Sequence, residues 1–272
     1  MSVADLVVLA VAGIAAGIVS TVAALASLVS YPVLLALGLP PLAANVTNTV
    51  SLSFTAVGAA AGSRPELAGQ AARVGRLGLV TALGGAVGAA ILLLTPASSF
   101  EAAAPVLIGG ASLVLLLQPS PGDPAPAVGL AQVGPAQAAD SARPPDPAAP
   151  ARERSKARLA MLFLVAVYVG YFGAAGGILM LAVLIPMLSQ PLARTNAVKN
   201  VINGLANGVA AIGFAAFGPV RWAAVLPLGA GFLIGGWIGP MLVRRIPGRL
   251  LQILIALGGV GLAVRLGLSA YR

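Results

Sequence analysis

Two rows of polar side chains lie in otherwise apolar sequence, at matching positions about 152 residues apart. The rows consist of Asn48, Ser51 and Thr55 in the first half, and of Asn196, Asn200, Asn203 and Asn207 in the second. Residues at positions i, i+3 and i+7 share one face of an α-helix. Burying an amide without a partner costs roughly 2 to 7 kcal/mol, so each row faces protein, water or a ligand. The chemistry that such a face offers is hydrogen bonding.

Lys199 lies beside the second row. A lysine in mid-membrane costs roughly 2.5 to 3.5 kcal/mol, which makes it a candidate functional residue. In one interpretation it is a cation that selects for anions. In the other it extends from the cytoplasmic end of its helix toward lipid phosphates, and its position near that end favours this second interpretation. For the polar rows, too, hydrogen bonding between helices is an alternative to ligand binding.

Composition identifies an integral membrane protein. The chain is 59% hydrophobic and only 8% charged, with a mean hydropathy of +0.99, too little polar surface to cover a soluble domain. The net charge of +9 comes from arginines that flank apolar spans, a pattern that does not indicate nucleic acid binding. Cysteine and histidine are absent, so disulfides, haem and the usual zinc or copper sites are excluded and we expect no cofactor.

The chain divides into two similar halves. Residues 119–157 are rich in Pro and Ala and end in a basic cluster, which predicts a disordered cytoplasmic linker between a first transmembrane repeat at 1–118 and a second at 158–272. Each half begins with an apolar element, at 6–39 and 159–189, that is too long for one span. A helix of about 33 residues would measure roughly 50 Å, against a hydrocarbon core of about 30 Å.

These long elements must therefore break or fold back. In the second half the break is expected at Gly173, Gly176 and Gly177, and in the first between Ser20 and Ser27. We predict a pair of short helices meeting near mid-membrane in each half, followed by three transmembrane helices, of which the first carries the polar row.

Lysine and arginine counts favour opposite orientations for the two repeats. If each first element returns to its own side, all but three of the 16 basic residues lie toward the cytoplasm; if it crosses once, five lie outside. The predicted fold class is therefore an all-α polytopic membrane protein with two inverted-topology repeats. Such repeats, with broken helices and polar groups at their interface, are typical of secondary transporters.

The motifs around both breaks resemble a known family. Residues 17–50 read GIVSTVAALASLVSYPVLLALGLPPLAANVTNTV and residues 170–210 read GYFGAAGGILMLAVLIPMLSQPLARTNAVKNVINGLANGVA. Both are similar to the TauE/SafE (sulfite exporter) family of bacterial membrane transporters, with only the linker outside the match. The resemblance implies transport of a small sulfur-containing or organic anion across the bacterial inner membrane, with no cofactor. One departure is that Ala24 and Ala26 stand where family members often have a Gly-x-Gly break.

Together, these patterns predict a substrate site at the repeat interface, used in alternating access. Amides, hydroxyls, one cation and the exposed backbone at the glycines would bind the anion; for the glycines, plain helix packing is the alternative. The predicted substrate-binding residues are Asn48, Ser51, Lys199, Asn200, Asn203, Asn207, Gly176 and Gly177. The expected partners are the small anion and the lipid bilayer, without nucleic acid; the oligomeric state is open and a homodimer is allowed.

Two other functions compete with transport. One is a structural or assembly membrane protein whose repeats only pack. The other is a membrane-embedded enzyme acting on lipid phosphate, which would need an Asp, Glu, His or Cys in the bilayer, and none is well placed. Export is favoured over uptake because an anion leaving a cell with a negative interior gains roughly 2.3 kcal/mol per charge per 100 mV.

Overall fold

The computed structural model describes residues 1–23, 25–117, 151–174 and 176–242. Within these ranges the chain forms ten α-helices and no strand. The helices are α1 (Val3–Ala23), α2 (Ser27–Ala36), α3 (Pro41–Gly62), α4 (Arg64–Leu67), α5 (Ala71–Leu94), α6 (Ala97–Leu117), α7 (Ala151–Tyr171), α8 (Gly176–Leu188), α9 (Leu192–Phe217) and α10 (Trp222–Leu242). The protein is all-α, as the sequence predicts.

Four of the described helices, α1, α5, α9 and α10, are long and apolar enough by length and composition to cross a membrane. Their outward faces are apolar as well: Leu79 is 63% exposed and Leu226 is 75% exposed. Faces of this kind are stable against lipid, and their backbone groups are satisfied within each helix. The structure therefore fits the predicted polytopic membrane protein.

Both long apolar elements break. In the first half α1 ends at Ala23 and α2 begins at Ser27; in the second α7 ends at Tyr171 and α8 begins at Gly176. Gly173 lies in the second break with φ at +76°, a left-handed conformation that is strained for residues with a Cβ.

The prediction of two short helices in each element was wrong. Helices α1 and α7 have 21 residues each, about 31 Å at 1.5 Å per residue, whereas α2 has 10 and α8 has 13. In α1 the polar residues near the break do not end the helix, because Thr21 Oγ1 donates to the Ile18 carbonyl of its own helix at 2.9 Å.

Helix α7 begins at Ala151, so residues 151–157, assigned by the sequence to the linker, form its first turns. The rest of the predicted linker, and the predicted last transmembrane helix near residues 250–270, lie outside the described residues.

The two helices that carry the polar rows begin in the same way. Pro40 precedes α3 and Pro191 precedes α9, and each proline follows a turn with a positive φ, at Gly38 (84°) and Ser189 (45°). Proline with its fixed φ fits this start because it needs no hydrogen-bond acceptor there.

Long helices from opposite halves pack side by side through glycines. On α1, Gly13 lies against Leu228 and Gly231 of α10, so closely that a Cβ would overlap backbone atoms. One turn later Gly17 lies against Phe232 and Gly235, so residue numbers rise together and the two helices are parallel. Gly84 and Gly88 of α5 meet α7 in the same way, at Phe163 and Val167. Small residues allow this close approach in membrane proteins.

One of the two helices that carry the polar rows packs against each parallel pair. Helix α3 joins α1 and α10, with Gly58 against Leu233 and Gly236, and we call this group bundle A. Helix α9 joins α5 and α7, with Gly85 against Ala206, and forms bundle B. The half-helix α2 packs in bundle A and α8 in bundle B. The bundles meet along α3 and α9, so each bundle combines helices from both halves of the sequence.

Candidate functional site

A cavity of about 30 Å³ lies between the two bundles, where both breaks meet both row-bearing helices. From bundle A it is lined by Ser20 and Thr55 and by the start of α2 at Ser27. From bundle B it is lined by Gly173, Gly177 and one face of α9. The α9 residues at the cavity are Lys199, Asn200, Asn203, Gly204 and Asn207.

Lys199 is the only charged residue that lines this cavity among the described parts of the chain. It is 2% exposed, and no described acidic side chain pairs with it. Its burial places the ammonium group inside the protein and does not fit the interpretation in which it extends to lipid phosphates. Because a buried charge without a counter-charge is costly, an anion in the cavity would stabilise Lys199.

The asparagines of α9 differ in their roles: one joins two helices, and another has an unpartnered oxygen at the cavity. Asn196 Nδ2 donates to the carbonyl of Thr21 at 3.2 Å and so ties α9 to the end of α1. Farther along, Asn207 Nδ2 donates to the Asn203 carbonyl at 2.9 Å, and Asn203 Oδ1 is buried with no described partner. Rotation of an amide presents either its oxygen or its two N–H donors, so Asn203 has unused hydrogen-bonding capacity at the cavity.

The two short helices that follow the breaks, α2 and α8, both begin at the cavity. Ala26 and Ser27 stand at the start of α2, and Gly177 is the second residue of α8. The first N–H groups of a helix lack partners within it and carry the positive end of the helix dipole. Together with Lys199, these two N-termini would favour an anion in the cavity.

The family model described as Sulfite exporter TauE/SafE matches residues 9–266 of the 272-residue chain. The chain belongs to the TauE/SafE family. The match includes both breaks, both polar rows and the cavity between them, and it agrees with the resemblance in the sequence motifs. The family and the apolar helices together make this chain a multi-pass membrane protein of a transporter family. No curated protein and no solved structure matches the chain significantly.

Not all the predicted binding residues of this TauE/SafE chain line the cavity. Asn48 lies behind it, where its Nδ2 donates to Ser27 Oγ at 3.2 Å and its Oδ1 accepts from Ser30 Oγ at 2.5 Å. Ser51 Oγ donates to the Thr47 carbonyl at 2.9 Å. Gly176 packs against the side chain of Val169. In this conformation Asn48 and Gly176 contribute to packing between helices and Ser51 bonds within α3. The cavity is lined instead by Lys199, Asn200, Asn203, Asn207 and Gly177.

Thr55 is a cavity residue that the predicted site leaves out. It is 5% exposed and its Oγ1 is buried with no described partner. The sequence did contain a signal for Thr55: it belongs to the first polar row, at the position that matches Asn207 in the second row. Ser20 and Ser27 also line the cavity, although the sequence connects them only with the break in the first half.

Proposed function

We propose that this TauE/SafE chain transports a small oxyanion, such as sulfite or thiosulfate, outward across the bacterial cytoplasmic membrane, and that the cavity between the bundles is its binding site. The observation that carries the proposal is Lys199: a buried lysine with no described acidic partner, at the same cavity as Asn203, whose amide oxygen has no described partner. An oxyanion supplies both the missing charge and several hydrogen-bond acceptors.

The size of the cavity favours a compact anion. A buried water needs a cavity volume of about 10–15 Å³. The cavity between the bundles has a volume of about 30 Å³. This is room for about two waters or for a few atoms of a ligand. Sulfite and thiosulfate therefore fit this conformation better than an extended organic sulfonate.

Three hydrogen bonds support the inverted repeat topology. In bundle A, Thr47 of α3 binds the N–H of Arg221 just before α10, so α3 runs parallel to α10 and α1. Asn45 at the start of α3 donates to the Tyr171 carbonyl at the end of α7, at 3.1 Å. Asn196 at the start of α9 likewise binds Thr21 at the end of α1. Each bundle thus begins where the other ends, as antiparallel bundles require.

Alternating access then follows from movement of bundle A against bundle B. The glycine contacts hold α1 to α10 and α5 to α7 within the bundles, while the anion site is shared: Thr55 belongs to bundle A, and Lys199 with its asparagines belongs to bundle B. Rocking along α3 and α9 would open the cavity to one side at a time. Outward movement of an anion gains roughly 2.3 kcal/mol per charge per 100 mV of negative interior potential, which supports export.

Liposomes loaded with sulfite or thiosulfate test this proposal. Wild-type protein should release the anion faster when an imposed potential makes the lumen negative. Lys199→Gln should reduce the rate at least about tenfold, because about 1.4 kcal/mol of anion binding is already tenfold in affinity. Lys156→Gln is the matched control, since Lys156 is an exposed lysine on α7 away from the cavity.

A rate that ignores the imposed potential would contradict electrically driven export. Absence of transport, together with no change in thermal stability on adding sulfite, thiosulfate, sulfonates or carboxylates, would favour the structural or assembly role, because a bound substrate stabilises its transporter by mass action.

A further inference from the structure

A second cavity, of about 440 Å³, lies away from the transport cavity, between the start of α5, the first turns of α7 and the end of α8. Its basic lining consists of Arg73, Arg76 and Arg158. Its apolar lining consists of Ala72, Leu77, Met187 and Leu188. We call this site the arginine pocket.

The arginine pocket holds three positive charges and no described acidic lining residue. Arg73 is held in place by two hydrogen bonds, in which its Nη1 donates to Oε1 of Gln70 and to Oε1 of Gln190, both at 2.8 Å. The bond to Gln190 joins the start of α5 to the turn between α8 and α9. Because like charges repel, three guanidinium groups around one cavity favour an anion between them, and guanidinium groups bind phosphate oxygens in pairs.

The position of the pocket indicates where such an anion comes from. Arg73 and Arg76 lie in the first turns of α5, the candidate span Ala71–Leu94, where a spanning helix meets the lipid head groups. The apolar wall of Leu77, Met187 and Leu188 extends from the same cavity. A free phosphate ion has no apolar part to contact this wall, whereas a phospholipid carries both a phosphate and a hydrocarbon chain.

We infer that the arginine pocket binds the head-group phosphate of an anionic phospholipid, with part of an acyl chain against Leu77, Met187 and Leu188. Basic pockets between transmembrane helices are suited to such head groups. A bound lipid would connect α5, α7 and the end of α8, whose other end begins at the transport cavity. The inference does not depend on which anion is transported, or on transport at all.

Native mass spectrometry of the purified protein, titrated with phosphatidylglycerol or with phosphatidylcholine of the same chains, tests the inference. Wild type should bind phosphatidylglycerol more tightly. The Arg76→Gln, Arg158→Gln double variant should lose about 25-fold of this affinity, about fivefold for each arginine, with phosphatidylcholine binding unchanged. Arg73 is left in place because it also holds Gln70 and Gln190. The control is Arg64→Gln with Arg221→Gln, which removes the same charge from exposed positions outside the pocket.

Three results would overturn the inference: equal affinity of wild type for the two lipids, an equal loss in the control variant, or displacement of phosphatidylglycerol by millimolar inorganic phosphate, which would identify a site for the free ion. Thermal unfolding in lipid-free detergent checks that each variant is folded. If the double variant is not, Arg158→Gln alone makes the same test, with an expected loss of about fivefold.

Discussion

Lys199 and Asn48 show that residues on or beside a polar row can differ in their role. Both lie on or beside a row, and both are almost fully buried, at 2% exposure each. Asn48 has its amide satisfied by Ser27 and Ser30, so it contributes to packing between α2 and α3. Lys199 lines the cavity with no described acidic partner, and a buried lysine without a counter-charge is more informative about a ligand than a buried amide whose hydrogen bonds are made.

We predict that Asn48→Ala and Asn203→Ala have opposite effects. Asn48→Ala removes the partner of two buried hydroxyls and should lower the free energy of unfolding by about 1–3 kcal/mol, with anion binding retained. Asn203→Ala removes an unpartnered oxygen and should change stability by less than about 0.5 kcal/mol. It should, however, abolish most of the stabilisation by added anion. Thermal unfolding with and without sulfite measures both effects; the reverse assignment would place the anion at Asn48.

At the scale of elements, the two breaks are built differently. The second uses Gly173 in a left-handed conformation, whereas at the first Ala26 keeps helical angles, with φ at −47°. Ala26 therefore begins α2 without a left-handed conformation, and it lines the cavity. Close approach of a ligand to the backbone is sterically easier on the glycine side, at Gly177.

The sequence predicted the helices and their breaks better than it predicted which helices pack together. Apolar runs of more than 30 residues predicted the breaks, and the spacing of Asn200, Asn203 and Asn207 predicted the face of α9 that lines the cavity, because both signals are local. The pairing of α1 with α10 was not predictable in this way. Gly13 and Gly231 are ordinary small residues in the sequence, and only the three-dimensional register selects which glycine faces which.

The glycine contacts between α5 and α7 can be tested by comparing substitutions at two glycines of α5. A Cβ on Gly88 would overlap backbone atoms of Val167 and Tyr171, whereas a Cβ on Gly75 would meet nothing within 4 Å. Gly88→Ala should therefore destabilise the protein by about 1–3 kcal/mol. Gly75→Ala should be neutral or stabilising by up to about 1 kcal/mol, as alanine is the better helix former. Unfolding in mixed detergent provides the measurement, and equal effects would mean that α5 and α7 are not closely packed there.

At the scale of the whole molecule, the proposed opposite orientations of the repeats predict the sidedness of four exposed positions. The chain has no native cysteine, so single cysteines can be labelled selectively. Cysteines at Ala68 and Ala157 should react only with reagent on the cytoplasmic side, and cysteines at Ser98 and Pro219 only from outside. All four positions are exposed. A membrane-impermeant maleimide applied to intact cells and to inverted vesicles makes the measurement. Labelling of Pro219 from the cytoplasm would establish parallel repeats.

If the two bundles move against each other as proposed, Gly204 is a sensitive position. Gly204 of α9 lies so close to Ala56 of α3 that a Cβ would overlap the alanine side chain, while Gly208, one turn later, has nothing within 4 Å of its Cβ position. Gly204→Ala should hold α3 and α9 apart and lower the initial transport rate by about tenfold, equivalent to about 1.4 kcal/mol. Gly208→Ala should transport like wild type, although it makes the same chemical change in the same helix. Neither substitution removes a hydrogen-bonding group from the cavity, so a loss confined to Gly204→Ala would reflect the added methyl group where the bundles meet at the cavity. Equal rates for the two variants, at equal thermal stability, would show that α3 and α9 do not move against each other during transport.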